Sequence, residues 1–275
     1  MHMADLAIAG STDPGMIRPN NEDRISTTPE LGLAVVADGM GGHQAGEVAS
    51  GMAVDVVTRH LINVFSRDTP PTDEEIADQS SVELRAVGEA IALANTAIFE
   101  LAQSSPNCSG MGTTVVVTLF HEDKVCIGHV GDSRLYRYRN DTLELITEDH
   151  SLVQELVARG LITPEEARNS VNKNLVTRAL GIEPTVESQL TEQTLQDQDI
   201  YLLCSDGLND VLPDDVTAQL LKDHGGDLQA AADRLVAQVN ARGGPDNVSI
   251  VLVRTGDQFL RDAEAIAKLF RESNG

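Results

Sequence analysis

Two apolar runs in this chain stop at an aspartate followed by a glycine: Val35-Val36-Ala37-Asp38-Gly39 and Leu202-Leu203-Cys204-Ser205-Asp206-Gly207. A carboxylate at the end of a buried strand is held rigidly, and the glycine beside it lets backbone or ligand come close. Gly131-Asp132-Ser133 and Gly244-Pro245-Asp246-Asn247 set two more aspartates at expected strand boundaries, and Asn20-Asn21-Glu22-Asp23 adds a further acidic position. Asp and Gly are also the commonest turn residues, so any one of these motifs alone reads as a turn. Taken together they gather oxygen donors at strand mouths without His or Cys company, a donor set that suits hard cations such as Mg²⁺ or Mn²⁺.

The elements that must position these residues follow from periodicity. Strands are predicted at 6–10 and 31–37, the latter stopping at Asp38-Gly39, and long helices at about 46–64 and 82–102. On the first helix Val48, Met52 and Val56 share one face; on the second Leu84, Val87, Ile91, Ala94 and Ile98 do. Strands at 113–120, 125–130, 134–139 and 143–146, joined by short polar turns, read as one antiparallel meander. Short helices at 151–159 and 164–168 precede strands at 186–190 and 200–204. Thr163 starts the second of these helices, with Pro164 at its first position. Helices at 214–222 and 228–241 then lead into a last strand at 248–253. This order is no regular βαβ alternation, and an α+β arrangement of antiparallel sheets covered by helices fits it better.

Composition narrows the function. With 20 basic against 43 acidic residues the 275-residue chain carries −23, which repels nucleic acid and anionic membranes. There is no Trp, and aromatics make up 3%, so little is available to stack on bases. Such a surface also repels phosphate, so a phosphate-processing enzyme of this charge needs local cations, and bound metal ions are the evident source. Cys108, Cys126 and Cys204 are scattered without metal-ligand spacing, which fits a reducing compartment. With no signal-peptide pattern and no transmembrane run, a cytoplasmic location is expected.

Read in order, RPNNED from Arg18, VADGMGGHQAGEVAS from Val36, GMGTTVVV from Gly110, GHVGDSRLYRYR from Gly128, LITEDHSLV from Leu145, NLVTRALG from Asn174, LLCSDGL from Leu202 and GGPDNVSIVLV from Gly243 strongly resemble bacterial members of the protein phosphatase 2C family. The resemblance spans about residues 6–254. It implies a four-layer α-β-β-α sandwich of two mainly antiparallel sheets flanked by helices. It also implies Ser/Thr phosphatase activity that depends on Mn²⁺ or Mg²⁺, with two ions bound and a third, weaker site.

By that resemblance Asp38 matches the metal-bridging aspartate, the Gly39 carbonyl a ligand on one ion, and Asp206 and Asp246 the remaining direct carboxylates. Glu22 matches an acidic residue beside the second metal and Asp23 an outer partner holding metal-bound water. Asp132 resembles the third-metal ligand, sharing Asp206, and Arg18 the phosphate-binding arginine. In animal relatives a histidine directly follows Asp-Gly and is thought to be the general acid. Here Met40 takes that place and His43 comes three residues later, the form usual in bacterial relatives, so His43 is the candidate acid. His129 and His150 read as structural.

The resemblance places one catalytic domain at 1–255, with a flap beside the active site at about 151–178, and a tail at 256–275. In that tail Phe259, Ala263, Ile266 and Phe270 recur on one face of a helix. The expected partners are a phosphoprotein substrate and the Ser/Thr protein kinase whose work is undone, with no nucleic acid or membrane, and the chain is expected to be a monomer. Two other readings stay open: a pseudophosphatase that binds phosphoproteins without turnover, and a hydrolase of small phosphoesters.

Overall fold

A computed structural model describes residues 6–42, 45–65, 81–168, 170 and 175–256. Among the described residues eleven strands form two sheets, and every pairing between them is antiparallel. The first sheet runs β1 (Leu6–Asp13), β11 (Val248–Thr255), β10 (Ile200–Cys204), β7 (Arg134–Arg139), β8 (Thr142–Leu145). The second runs β2 (Asp23–Thr28), β3 (Leu33–Met40), β5 (Val115–His121), β6 (Lys124–Val130), β9 (Gln189–Thr194), with β4 (Gly112–Thr113) paired to the end of β3.

Three apolar clusters explain why both faces of the inner strands are hydrophobic. Leu33, Val35 and Ala37 of β3 pack outward against α1 (Ala45–Phe65) and α2 (Val82–Ser104), while Ala34 and Val36 face the other sheet. In β10, Tyr201 and Leu203 meet them between the sheets. Ile200, Leu202 and Cys204 turn outward to α6 (Asp214–His224) and α7 (Leu228–Ala241). A strand buried on both faces reads as an unbroken apolar run, and helices on each outer face complete the α-β-β-α layering.

Side-chain caps open several of the helices. Ser81 accepts from the Leu84 N–H at 3.2 Å to open α2, and Asp227 accepts from the Ala230 N–H at 3.1 Å to open α7. Between β8 and β9 lie α3 (Leu152–Ala158) and α4 (Pro164–Arg168). Thr163 and Glu166 form a reciprocal cap at the start of α4, with Glu166 N–H donating to Thr163 Oγ1 at 3.2 Å and Thr163 N–H to Glu166 Oε2 at 2.7 Å.

The structure departs from the sequence expectations at four points. The predicted meander is two hairpins in different sheets: β5–β6 in one, β7–β8 in the other, the chain crossing at Gly131-Asp132-Ser133. β3 does not stop before Asp38-Gly39 but continues to Met40, because β4 pairs with Gly39 and Met40. On α1 the buried face is Ala49, Ala53, Val57 and Leu61, and Val48 is exposed. The strand expected at 186–190 lies later, at Gln189–Thr194. His43 and the tail beyond Gly256 lie outside the described residues.

Candidate metal centre

Asp38 enters the space between the sheets because side chains alternate along β3: Ala34 and Val36 face that space, and Asp38 keeps their phase. Its backbone is clamped from one side. The Asp38 N–H donates to Thr114 Oγ1 at 3.0 Å, and its carbonyl accepts from the Thr114 N–H at 2.9 Å and Thr113 Oγ1 at 2.8 Å. On the other side Asp23 is its register partner, so the two carboxylates share a face.

Asp23 is fully buried, and Ser205, just past β10 in the opposite sheet, donates to its Oδ2 at 2.7 Å. The Ser205 hydroxyl oxygen in turn accepts from the Ser249 N–H at 3.0 Å. Asp23 Oδ1 has no hydrogen-bond partner among the described residues.

Glycine is required at position 39. A Cβ there would stand 2.1 Å from the Gly46 carbonyl oxygen, so the first turn of α1 rests directly on this backbone. At the sheet crossing, Gly131 adopts φ +105°, a conformation L side chains rarely take, and swings Asp132 toward the same end of the sheets. His150 steadies that turn: its Nδ1 accepts from the Gly131 N–H at 3.1 Å, and its ring stacks on His129 with centroids 4.8 Å apart. Burial lowers the pKa of both histidines, His150 to about 4, so both stay neutral near pH 7.

Asp206 opens the short helix α5 (Asp206–Asn209), and Asp246 precedes β11. Arg18 Nη2 donates to Asp246 Oδ2 at 2.7 Å, with both side chains partly exposed. Beneath them Asn247 ties the 14–22 loop down. It accepts from the Glu22 N–H at 2.8 Å and donates to the carbonyls of Pro14 and Asn20, both at 2.9 Å.

The result is a cavity of about 310 Å³ lined by Arg18, Glu22, Asp38, Gly39, Asp132, Asp206 and Asp246, along with Thr114, Val176 and Asn247. Asp23 sits under it rather than in its wall. These are the positions singled out in the sequence, except His43, which is outside the described residues. Asn247, Thr114, Ser205 and Ser249 were not singled out as site residues. Asn247 lay inside the GGPDN motif and Ser205 inside LLCSDGL, but a hydrogen bond between distant segments has no local signature.

The electrostatics are those of crowded negative charge. Asp38 is pushed well above the usual carboxylate range, first by burial and then by Asp23, Asp206, Asp132 and Asp246. Burial, and then Asp132, Asp210 and Asp246, raise Asp206 to about 8. Burial and Asp149 raise Asp132 to about 6. Glu22 is raised chiefly by burial.

Divalent cations fit this donor set. All its donors are oxygen, its carboxylates far outnumber the one lining arginine, and one buried carboxylate oxygen on Asp23 has no partner among the described residues. Among the described residues no three acidic, His or Cys groups are already drawn tight enough to hold an ion.

Two stacked sheets that deliver carboxylates and one arginine to a single rim pocket define a metal-dependent phosphoester hydrolase. The family model described as Protein phosphatase 2C matches residues 19–243. The serine/threonine phosphatase stp of Listeria welshimeri is 40% identical over 257 residues, covering 92% of this chain and 97% of that protein. The crystal structure of the Mycobacterium tuberculosis serine/threonine phosphatase PstP/Ppp superposes with a TM-score of 0.80 at 36% identity, covering 91% of this chain and 99% of that one. The PstP catalytic domain in complex with two manganese ions gives 0.78 at 36% identity, covering 92% and 99%. The chain belongs to the protein phosphatase 2C family and is a metal-dependent serine/threonine protein phosphatase of the bacterial Stp and PstP kind. Among the described residues no helix is long and apolar enough to cross a membrane.

Proposed function

We propose that this chain hydrolyses phosphoserine and phosphothreonine in proteins at the carboxylate pocket, opposing a Ser/Thr protein kinase, within a single catalytic domain at 1–255. The observation that carries this reading is the convergence of Asp38, Asp132, Asp206, Asp246, Glu22 and Arg18 on one cavity. Asp38, Asp206, Asp246 and the Gly39 carbonyl would hold two Mn²⁺ or Mg²⁺ ions, with Glu22 and Asp23 in support and Asp132 joining Asp206 at a third site. Cations held there would supply charge that offsets the phosphate dianion and would lower the pKa of water toward neutrality.

The chain's own groups do the rest. Arg18 binds phosphate oxygens with its planar guanidinium after leaving Asp246 Oδ2, an exposed partner that costs little to give up. The Ser205 hydroxyl fixes Asp23 Oδ2 and leaves Oδ1 as the acceptor that can orient water. Asn247 keeps Arg18 and Glu22 on one anchored loop. An imidazolium at His43 donates its proton to the serine oxygen as the P–O bond breaks, because a serine alkoxide is a poor leaving group.

The test compares a phosphoserine peptide with p-nitrophenyl phosphate, in wild type and His43→Ala. Wild type releases phosphate from the peptide, and His43→Ala loses about 10²-fold on the peptide but far less on the nitrophenyl ester, whose leaving group needs no proton. Equal losses on both would remove His43 from the acid role. Peptide binding without phosphate release would favour a pseudophosphatase, and turnover of small esters alone a small-molecule phosphomonoesterase.

A further inference from the structure

The pocket is lined mainly by acidic groups, but exposed apolar side chains adjoin two of its lining residues in the chain. Ile17 and Met16 are 71% and 65% exposed, and they stand one and two residues before Arg18, which lines the cavity. A soluble surface rarely spends two adjacent large apolar side chains this way without a use for them. The backbone that carries the pair is pinned on both sides. The Met16 N–H donates to the Gly244 carbonyl at 2.8 Å, and Asn247 Nδ2 holds Pro14 O and Asn20 O. Elsewhere on the rim Val176 lines the cavity, and Leu175 beside it is 51% exposed. That pair is fixed as well: Val176 bridges Ser151, and the Leu152 N–H donates to the Leu175 carbonyl at 2.9 Å.

We infer that the enzyme selects phosphopeptides with bulky apolar residues next to the phosphorylated position, held by Met16 and Ile17 on the Arg18 loop and by Leu175 and Val176 on the segment that contributes Val176 to the cavity. This rests on the protein phosphatase reading above. The occupant is the substrate because the apolar pairs are continuous in the chain with residues that line the phosphate pocket, Arg18 and Val176. A phosphate drawn into the carboxylate floor leaves its neighbouring residues lying across this rim. The charge of −23 disfavours acidic neighbours in the substrate and attracts basic ones at long range, so the apolar pairs supply the short-range contact beside the phosphate. Two rigid pairs also limit the ordering cost, which favours affinity for short segments.

The experiment uses two phosphoserine peptides identical except for Leu or Gln on each side of the phosphoserine, with Mn²⁺ present. The Leu peptide is expected to be favoured about tenfold in kcat/KM, mainly through KM, the usual scale for one well-buried apolar group. The double variant Met16→Ser/Ile17→Ser, or separately Leu175→Ser, should bring that ratio to within about twofold. Melting temperature and turnover of p-nitrophenyl phosphate report whether each variant keeps a folded site. Equal kcat/KM on both peptides in wild type, or a preference that survives the variants, overturns the inference while leaving the phosphatase reading intact. Turnover of neither peptide, with the nitrophenyl ester still hydrolysed, overturns the protein-phosphatase reading itself. A dimer that the variants dissociate, with the peptide ratio unchanged, would assign the apolar rim to self-association and overturn the inference.

Discussion

Asp23 and Asp38 are register partners across β2 and β3, and both carboxylates project into the space between the sheets. Like charges directly opposed on an antiparallel pair destabilise it, and here burial magnifies the effect on Asp38. Folding alone gives no reason to keep such a pair. A cation site does.

The first prediction follows from that pair and its neighbour Asp206. Asp38→Asn and Asp206→Asn each lower phosphopeptide turnover at least about a hundredfold at saturating Mn²⁺, since each removes a charge the cations need. In chelator, by contrast, both variants melt no lower than wild type, and relief of repulsion raises stability by up to about 1 kcal/mol. A variant that melts well below wild type in chelator would mean its carboxylate stabilises the fold rather than opposing it.

Asn247 carries the second prediction. Asn247→Ala removes three hydrogen bonds from a buried side chain and should cost about 1–3 kcal/mol in chemical denaturation. Activity falls as well, because Arg18 and Glu22 sit on the loop that Asn247 anchors. Asn247→Asp keeps the acceptor for the Glu22 N–H but loses both donors and adds negative charge beside Asp246, so it should be at least as damaging. Full activity in either variant would show that the loop is held by other contacts.

The pH dependence of the metal-stripped protein separates two opposed groups. Asp206, near 8, and Asp132 and Asp23, near 6, lie above their unfolded values, so the folded state binds more protons and stability rises as pH falls. His150 works in the other direction. With a folded pKa near 4 against an ordinary 6.5, its contribution is present above 6.5 and lost as pH falls toward 4. The melting temperature in chelator should therefore climb between about pH 8 and 6.5, where only the carboxylates act, and flatten or fall below that. His150→Asn, which offers the Gly131 N–H an acceptor but does not titrate, should lift the acid side relative to the neutral value. A melting temperature that drops steadily from pH 8 downward would contradict the crowded-carboxylate account.

Much of the site was legible because its carboxylates end strands buried on both faces, and such strands announce themselves as apolar runs. Asp38 and Asp206 were visible this way, and Asp246 by the Gly-Pro-Asp-Asn turn just before the apolar run of β11. Long-range choices were not. The β7–β8 hairpin looks locally like a continuation of β5–β6, and only its pairing with β10, far along the chain, draws it into the other sheet. On α1 the bulky Val48, Met52 and Val56 suggested the core face, but the close contact of Gly39 with Gly46 brings the first turns of the helix too near the sheet for large side chains, so small residues lead there, Val57 and Leu61 fill the core further on, and Met52 and Val56 pack only at its edge. Ala49 and Ala53 take the core instead. β9 is a polar edge strand and has no apolar alternation to find. Asn247 joins loops more than 200 residues apart in sequence, which no local pattern encodes.

The most direct test of the metal-centre assignment is phosphate release from a phosphoserine peptide by chelator-stripped, desalted protein, before and after addition of Mn²⁺, Mg²⁺, Ca²⁺ or Zn²⁺, with Asp38→Asn alongside. Turnover should be absent after stripping, return in wild type with Mn²⁺ or Mg²⁺ in a saturable way, and remain absent in Asp38→Asn at every concentration. Undiminished turnover in the stripped protein, or more than about a tenth of wild-type turnover in Asp38→Asn with Mn²⁺, would contradict the assignment of this carboxylate pocket as the metal centre.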